Sequence, residues 1–333
     1  MVITFMVGNG FDIGLGLHTQ YINFYPYFTD VCGKNNMMKS QIEADKENGN
    51  YENWSDLEVA IGKFTTEISD DNQEEFINDK IEMEDLLIEY LRKERESVVL
   101  DDAKIEETIK NAIIEIWKGN NEKETELLTY VSNKFGPESH IYQAINFNYT
   151  DCFDYCFKVA GRKNGMISAH KNGGNSFSGE ILHVHGTLED KELLLGVNDE
   201  NQVLNSDLRS VENIKRVLIK PYLNEKMGQK KTEKAKSMIN NSNVICLYGV
   251  SIGDTDKMWW EQVGEWLLGN ADRVLIIFIY NEGYKEKRVY RQIQEWERIK
   301  KQFLFKTNIP NEKMGKAMER IIVRIHENIF EIK

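Results

Sequence analysis

Chemistry first shows in two histidines of the run Ile181-Leu182-His183-Val184-His185-Gly186-Thr187. On a strand, alternation puts His183 and His185 on one face and Leu182 and Val184 on the other. A histidine before glycine at a strand's carboxyl end is placed for proton transfer, because its pKa lies near neutrality. His185 has that place, whereas His183 fits better as a core histidine satisfied by backbone. No carboxylate or cysteine stands beside them at a familiar ligand spacing, so no metal site is expected.

Asn148 is the next candidate. It ends the strand-like run Ile141 to Tyr149, where polar residues either face the ligand crevice of an open α/β sheet or bond their own backbone in a turn. Thr150 or Asp151 is placed to cap the helix that follows. Two further strands run into glycine turns, Gly8-Asn9-Gly10 and Gly249-Val250-Ser251. Such turns let backbone N–H groups approach a phosphate, and the following helix adds its positive end. Ile13 stands where a G-x-G-x-x-G motif would carry its third glycine, so a tight βα turn is the other reading of the first one. Asp12 and His18 follow that turn closely. Ser251, Asp254 and Asp256 follow the second, where each could simply cap a helix. Asn281 ends the last clear buried strand, Arg273 to Asn281.

A sheet must position these groups. Strands are expected at 2–7, 141–147, 181–185, 193–196, 244–248 and 274–280, with Lys171 to Gly179 a loop and 311–329 a helix. Thr19 is a candidate cap for the helix carrying Tyr21, Phe24 and Phe28. From about 30 to 135 the pattern changes to apolar residues at three- and four-residue spacing among Glu, Asp, Asn and Lys. Trp54 to Phe64, Phe76 to Leu91 and Ile105 to Trp117 read as amphipathic helices. The expected architecture is therefore α/β, a parallel sheet with helices on both faces. Residues 1–29 and 136–333 form a Rossmann-like nucleotide-binding core, and 30–135 a helical insertion after the first strand. Small or polar residues recur at the carboxyl ends of the strands, and a phosphate-bearing nucleotide in that crevice accounts for all of them economically.

Composition narrows the classes. The chain has 333 residues, 41% of them hydrophobic, and a net charge of -12, which opposes a non-specific grip on nucleic acid. The basic residues between 200 and 242, among them Lys215, Arg216, Lys220 and Lys231, read as a solvated helix face or a local phosphate patch. Four scattered cysteines without a C-x-x-C pair read as reduced thiols of a cytoplasmic protein. The apolar start reads as a strand and not a signal peptide, and no run is long enough for a membrane span.

The opening block Gly8-Asn9-Gly10-Phe11-Asp12, with Gly16-Leu17-His18-Thr19-Gln20-Tyr21, resembles the signature of the AbiH family of bacterial phage abortive-infection proteins. Asn146-Phe147-Asn148-Tyr149-Thr150, His183-Val184-His185-Gly186-Thr187 and Tyr248-Gly249-Val250-Ser251 fit it as well. That family in turn looks distantly similar to the sirtuin-like NAD hydrolases of phage defence. The resemblance implies that NAD is the substrate. Gly8, Asn9 and Gly10 would hold its pyrophosphate, and Gly249, Ser251 and Asn281 the adenosine half. Asn148 would orient the ribose or the attacking water, and His185 would act as base. Defence enzymes of this type commonly assemble, so the implied partners are the nucleotide, a phage-derived trigger and a second copy of the chain.

Two departures bear on this. Asp12 would repel NAD phosphates unless it faces the ribose. The zinc ribbon of deacetylases is missing, which removes protein deacetylation. Two alternatives remain open: a non-catalytic nucleotide sensor that signals to the helical insertion, and a nuclease using Asp12, Asp254, Asp256 and a divalent metal.

Overall fold

Val2–Val7 forms β1, buried along all but its first residue, and so apolar a strand needs cover on both faces. It feeds the short α1 (Gly10–Gly14) and then α2 (Tyr21–Val31), α3 (Met37–Glu47), α4 (Leu57–Phe64) and α5 (Gln73–Ser97). The chain continues through α6 (Asp102–Glu115), α7 (Glu122–Phe135), β2 (His140–Asn146), α8 (Cys152–Ala160), β3 (Met166–Ala169) and β4 (Asn175–His183). Next come α9 (Glu212–Leu218), α10 (Lys220–Lys226), α11 (Lys231–Asn240), β5 (Val244–Tyr248) and α12 (Lys257–Gly269). The last elements are β6 (Val274–Ile279), α13 (Val289–Phe305), α14 (Asn311–Met318) and β7 (Ile321–Ile325). The computed structural model describes all residues except 50–56, 70, 136–138, 170–173, 191–192, 227–229, 281–283, 285–286, 326 and 333.

The strands form one seven-stranded sheet in the order β3-β4-β2-β1-β5-β6-β7. Only β3 pairs antiparallel, with β4; the other neighbours are parallel. The chain therefore builds outward from β1 through β2 to β4, then returns to the other side of β1 for β5, β6 and β7. Ligand crevices of open α/β sheets lie at such a reversal, at the carboxyl ends of the two central strands.

Contacts divide the chain into two compact units. The first comprises 1–15, 99–184 and 233–333 and contains the sheet. On one face Phe5 meets Phe153, Phe157 and Phe330 at centroid separations of 6.2, 6.0 and 5.5 Å. On the other, Met6, Ile145 and Leu247 join Ile239 of α11, Trp260 and Trp266 of α12 and Phe303 of α13. Each fully buried aromatic or aliphatic side chain adds roughly 1.5–3 kcal/mol of transfer free energy, so these two layers are what hold the sheet together. The second unit comprises 16–98 and 185–232. There the Phe24 ring of α2 lies tilted against Tyr90 of α5, with centroids 5.6 Å apart. The Asn36 side chain caps α3 by accepting from Met38 and Lys39 N–H and donates to Glu82 Oε2 at 2.7 Å.

This division differs from an insertion confined to 30–135. α6 and α7 lie with the sheet because their apolar stripe and carbonyls have partners there. Ile105, Ile109 and Ile113 are buried, Arg324 of β7 donates to the carbonyls of Glu115 and Lys118 at 3.1 and 2.6 Å, and Asn120 donates to Val323 O at 2.8 Å. Residues 185–232, expected in the core, group with the helical second unit.

Several local expectations also change. Leu193 to Gly196 is not a strand; only a single bridge, Val197 to Ile219, forms there. β4 starts at Asn175, inside the stretch read as a loop, and β3 pairs with it as a ribbon. Residues 321–325 are a buried strand and not the end of a helix. The β-branched run Ile321-Ile322-Val323 favours a strand once β6 offers an edge. Thr19 is not the cap of α2, whose N-cap is Gln20 without a side-chain bond. Trp54 lies outside the described residues.

Candidate functional site

At the carboxyl ends of β1 and β5 the two glycine turns meet. Gly8 N–H donates to Tyr248 O at 3.0 Å and Gly10 N–H to Gly249 O at 2.8 Å. A Cβ on Gly10 would stand 2.5 Å from Gly249 Cα, and Gly249 itself has φ of 65°, a left-handed conformation suited to glycine. Close backbone approach is thus the visible reason for glycine at both places. Ser251 is exposed, and its carbonyl accepts Gly253 N–H at 2.7 Å. Asn9 is the N-cap residue of α1, its carbonyl accepting from Ile13 N–H at 3.0 Å.

One strand over, a polar group is built around Asn148. Its backbone N–H donates to Asn146 Oδ1 at 3.0 Å, and its carbonyl accepts from His183 Nδ1 at 2.8 Å. The amide Nδ2 donates to Gly8 O at 3.1 Å and lies 3.4 Å from Asp12 Oδ1. Both acceptors face the same amide atom, which fixes which end is nitrogen. Asn148 Oδ1 then has no partner among the described residues. Asp12 is only 1% exposed, and the Thr150 hydroxyl donates to its Oδ2 at 2.5 Å. His183 also faces Asp154 Oδ2 through Nε2 at 3.0 Å, and Asn146 Nδ2 reaches the same oxygen at 3.2 Å. The Asp12 carboxylate thus accepts from a neutral hydroxyl and faces a neutral amide, contacts that orient its two oxygens.

His185 is buried in the second unit, and its carbonyl accepts Leu194 N–H at 2.9 Å. His18 belongs to the same unit, with an exposed ring beside Glu94 at 3.3 Å and its carbonyl accepting from the Tyr90 hydroxyl at 2.8 Å. Burial and the Glu94 charge push the Tyr90 phenol up to about 12. Asn281 lies outside the described residues. Asp254 is exposed and pairs with Lys306 at 2.6 Å, and Asp256 takes the N-cap position of α12 without a side-chain cap bond. Among the described residues no group of three or more His, Cys, Asp and Glu could hold a metal ion.

A family model for bacteriophage abortive infection AbiH matches residues 4–279. The chain belongs to the AbiH family. No curated protein matches it. The span shared with AbiH runs from β1 to the end of β6 and contains every member of the Asn148 group; β7 lies beyond it.

Three members of that group were not read from the sequence as site residues. Thr150 or Asp151 is the expected cap of α8; the Thr150 hydroxyl turns to Asp12, and Asp151 takes the N-cap position without a side-chain cap bond. Asp154 reads as an ordinary acidic residue of a first helical turn. Asn146 ends β2 with its side chain turned toward His183 and Asn148. The signal that could have found them is periodic: two residues past Asn148 and the first turn of the next helix both face back to the strand end.

Proposed function

We propose that this AbiH chain acts in abortive infection by binding NAD at the carboxyl edge of its sheet and hydrolysing it to nicotinamide and ADP-ribose. The observation that carries the reading is Asn148, held by four polar contacts with its Oδ1 left as an acceptor, beside the buried Asp12 carboxylate. The strand order supports it, because among the six parallel strands it is that of a Rossmann-like dinucleotide-binding sheet. A sirtuin-like identity of this sheet belongs to the same reading.

In the reaction, the bond from ribose C1′ to the nicotinamide nitrogen breaks and the electron pair leaves with nicotinamide. Positive charge builds on the ribose, and water adds to C1′. Asn148 Oδ1 would accept from a ribose hydroxyl or from that water, fixing its approach. The Asp12 charge would stabilise the oxocarbenium-like state, which assigns this carboxylate to the ribose and not to the phosphates. The proton of that water passes to a general base, the role that the resemblance to sirtuin-like enzymes assigns to His185. With the amides of Gly8 and Gly10 bonded across the turns, the pyrophosphate would depend on Asn9 and on the side chains around it. The reading takes the cytoplasm as the place of action, with a phage-derived trigger and self-assembly as its control. Among the described residues no helix is long and apolar enough to cross a membrane.

The test is incubation of the purified chain with NAD, following nicotinamide release in the wild type, Asn148→Ala and His185→Ala. Release by the wild type that is lost in both variants supports the reading. NAD that stays intact in cells carrying the protein during phage infection contradicts it. Burial favours a second reading, binding without cleavage: Asp12, Asn146, Asn148, Thr150 and His183 are each under a tenth exposed, as befits a rigid scaffold. On that reading His185→Ala leaves defence intact while Asn148→Ala removes it.

A further inference from the structure

The His183 ring lies between two acceptors, and its role can be read from that alone. Nδ1 stands 2.8 Å from the carbonyl oxygen of Asn148, which can only accept, so Nδ1 carries a proton. Nε2 stands 3.0 Å from Asp154 Oδ2, a carboxylate oxygen that also accepts from Asn146 Nδ2 at 3.2 Å. The groups facing the ring include the Asn148 carbonyl, Asp154 from α8 and Asn146 from β2, whose amide nitrogen lies 3.5 Å from Nε2, farther than the Asp154 oxygen. The ring is 8% exposed, while the Asp154 side chain is a third exposed and links the group to solvent. Across the same peptide segment, Asn146 Oδ1 receives the Asn148 N–H at 3.0 Å. Asn148 is therefore gripped at its N–H by one side chain and at its C=O by another. Both grips converge on Asp154.

We propose that His183, carrying protons on both ring nitrogens and anchored by Asp154, is a positioning residue that fixes the Asn148 backbone and so aims Asn148 Oδ1 at its ligand. The proposal rests on the NAD-cleaving reading for its functional consequence, but the geometric half stands apart from it. A histidine that merely filled space would need neither its second proton nor the carboxylate behind it. A positioning histidine needs its Nδ1 donor in one place, and a displacement of about 1 Å at a reacting group costs on the order of a hundredfold in rate.

Two substitutions separate these roles. Asparagine carries its amide nitrogen where histidine carries Nδ1, whereas glutamine carries it near Nε2. His183→Asn is expected to keep nicotinamide release within roughly fivefold of the wild type, the scale of one altered hydrogen bond. His183→Gln is expected to lose about a hundredfold at a similar denaturation midpoint. Equal losses in the two variants would overturn the proposal. The companion measurement needs no activity: ring ¹H–¹⁵N correlations of the ¹⁵N-labelled full chain at neutral pH, with His183→Asn used for assignment. Protons on both nitrogens of His183 are expected, and a lone pair on Nε2 would overturn the anchor. In the same spectra the Asn148 backbone amide should hold its position in His183→Asn and move in His183→Gln; an amide unmoved by both sinks the proposal. If the wild type releases no nicotinamide, the NAD-cleaving reading fails while the ring and amide signals still decide this one.

Discussion

Each unit of the molecule buries a carboxylate, and the two are treated differently. In the second unit Glu58 of α4 meets Lys220 of α10 at 2.9 Å, with both side chains under a tenth exposed, and also accepts the Gly196 N–H. In the first unit Asp12 is more deeply buried but is held by the Thr150 hydroxyl and the Asn148 amide. A lysine cancels its partner's charge, so Glu58 ties two helices together and has nothing left to offer a ligand. The Thr150 hydroxyl and the Asn148 amide orient the Asp12 carboxylate without bringing a positive charge of their own. A structural carboxylate is thus closed by a cation, and the candidate working one is oriented by a hydroxyl and an amide.

The contrast can be broken at either end. The largest effect is expected from Lys220→Met, which leaves Glu58 buried without its cation and should cost about 3–5 kcal/mol in urea denaturation. The double variant Glu58→Leu with Lys220→Met should recover most of that loss, since a well-packed apolar pair replaces a buried ion pair at little cost. Next, Asp12→Asn should lower nicotinamide release by roughly a hundredfold, the scale of one removed electrostatic group. Its denaturation midpoint should move far less than that of Lys220→Met. A smaller loss is expected from Gly10→Ala, where the added Cβ would stand 2.5 Å from Gly249 Cα. Pushing the two turns apart should destabilise the chain by about 1–3 kcal/mol, read as a lowered thermal midpoint.

The smallest effect concerns alkaline pH. Burial pushes the Tyr142 phenol from its usual 10 up to about 12. The neutral form is therefore favoured by folding, so its contribution is complete below pH 10 and is lost as pH rises toward 12. Absorbance at the tyrosinate band should show one slow-titrating phenol fewer in Tyr142→Phe, and the variant should lose less stability over that window.

Much of this frame was legible in the sequence. β5 and β6 are unbroken apolar runs and β1 is broken only by Thr4, each ended by glycine or a polar residue, and that pattern hardly depends on distant context. β7 was not legible, because Arg324 interrupts its run and is explained only by distant carbonyls, those of Glu115 and Lys118, together with the Glu327 carboxylate. The first half of β4, Asn175 to Gly179, has the composition of a loop and becomes a strand only through β2 and β3 on either side. The division into units was hidden for a similar reason: the isoleucine stripe of α6 says that something covers it, not what. At the site, Asn148 and the glycine turns stood out by type and place. Asp154 did not, since its meaning depends on His183, 29 residues later in the chain.

The most direct test of the central claim is calorimetric titration of the full chain with NAD and with ADP-ribose, in the wild type and in Asn148→Ala. The account predicts binding by the wild type and at least a tenfold weaker affinity in the variant, about 1.4 kcal/mol, with its denaturation midpoint retained. No binding by the wild type, or equal binding by both, would contradict it.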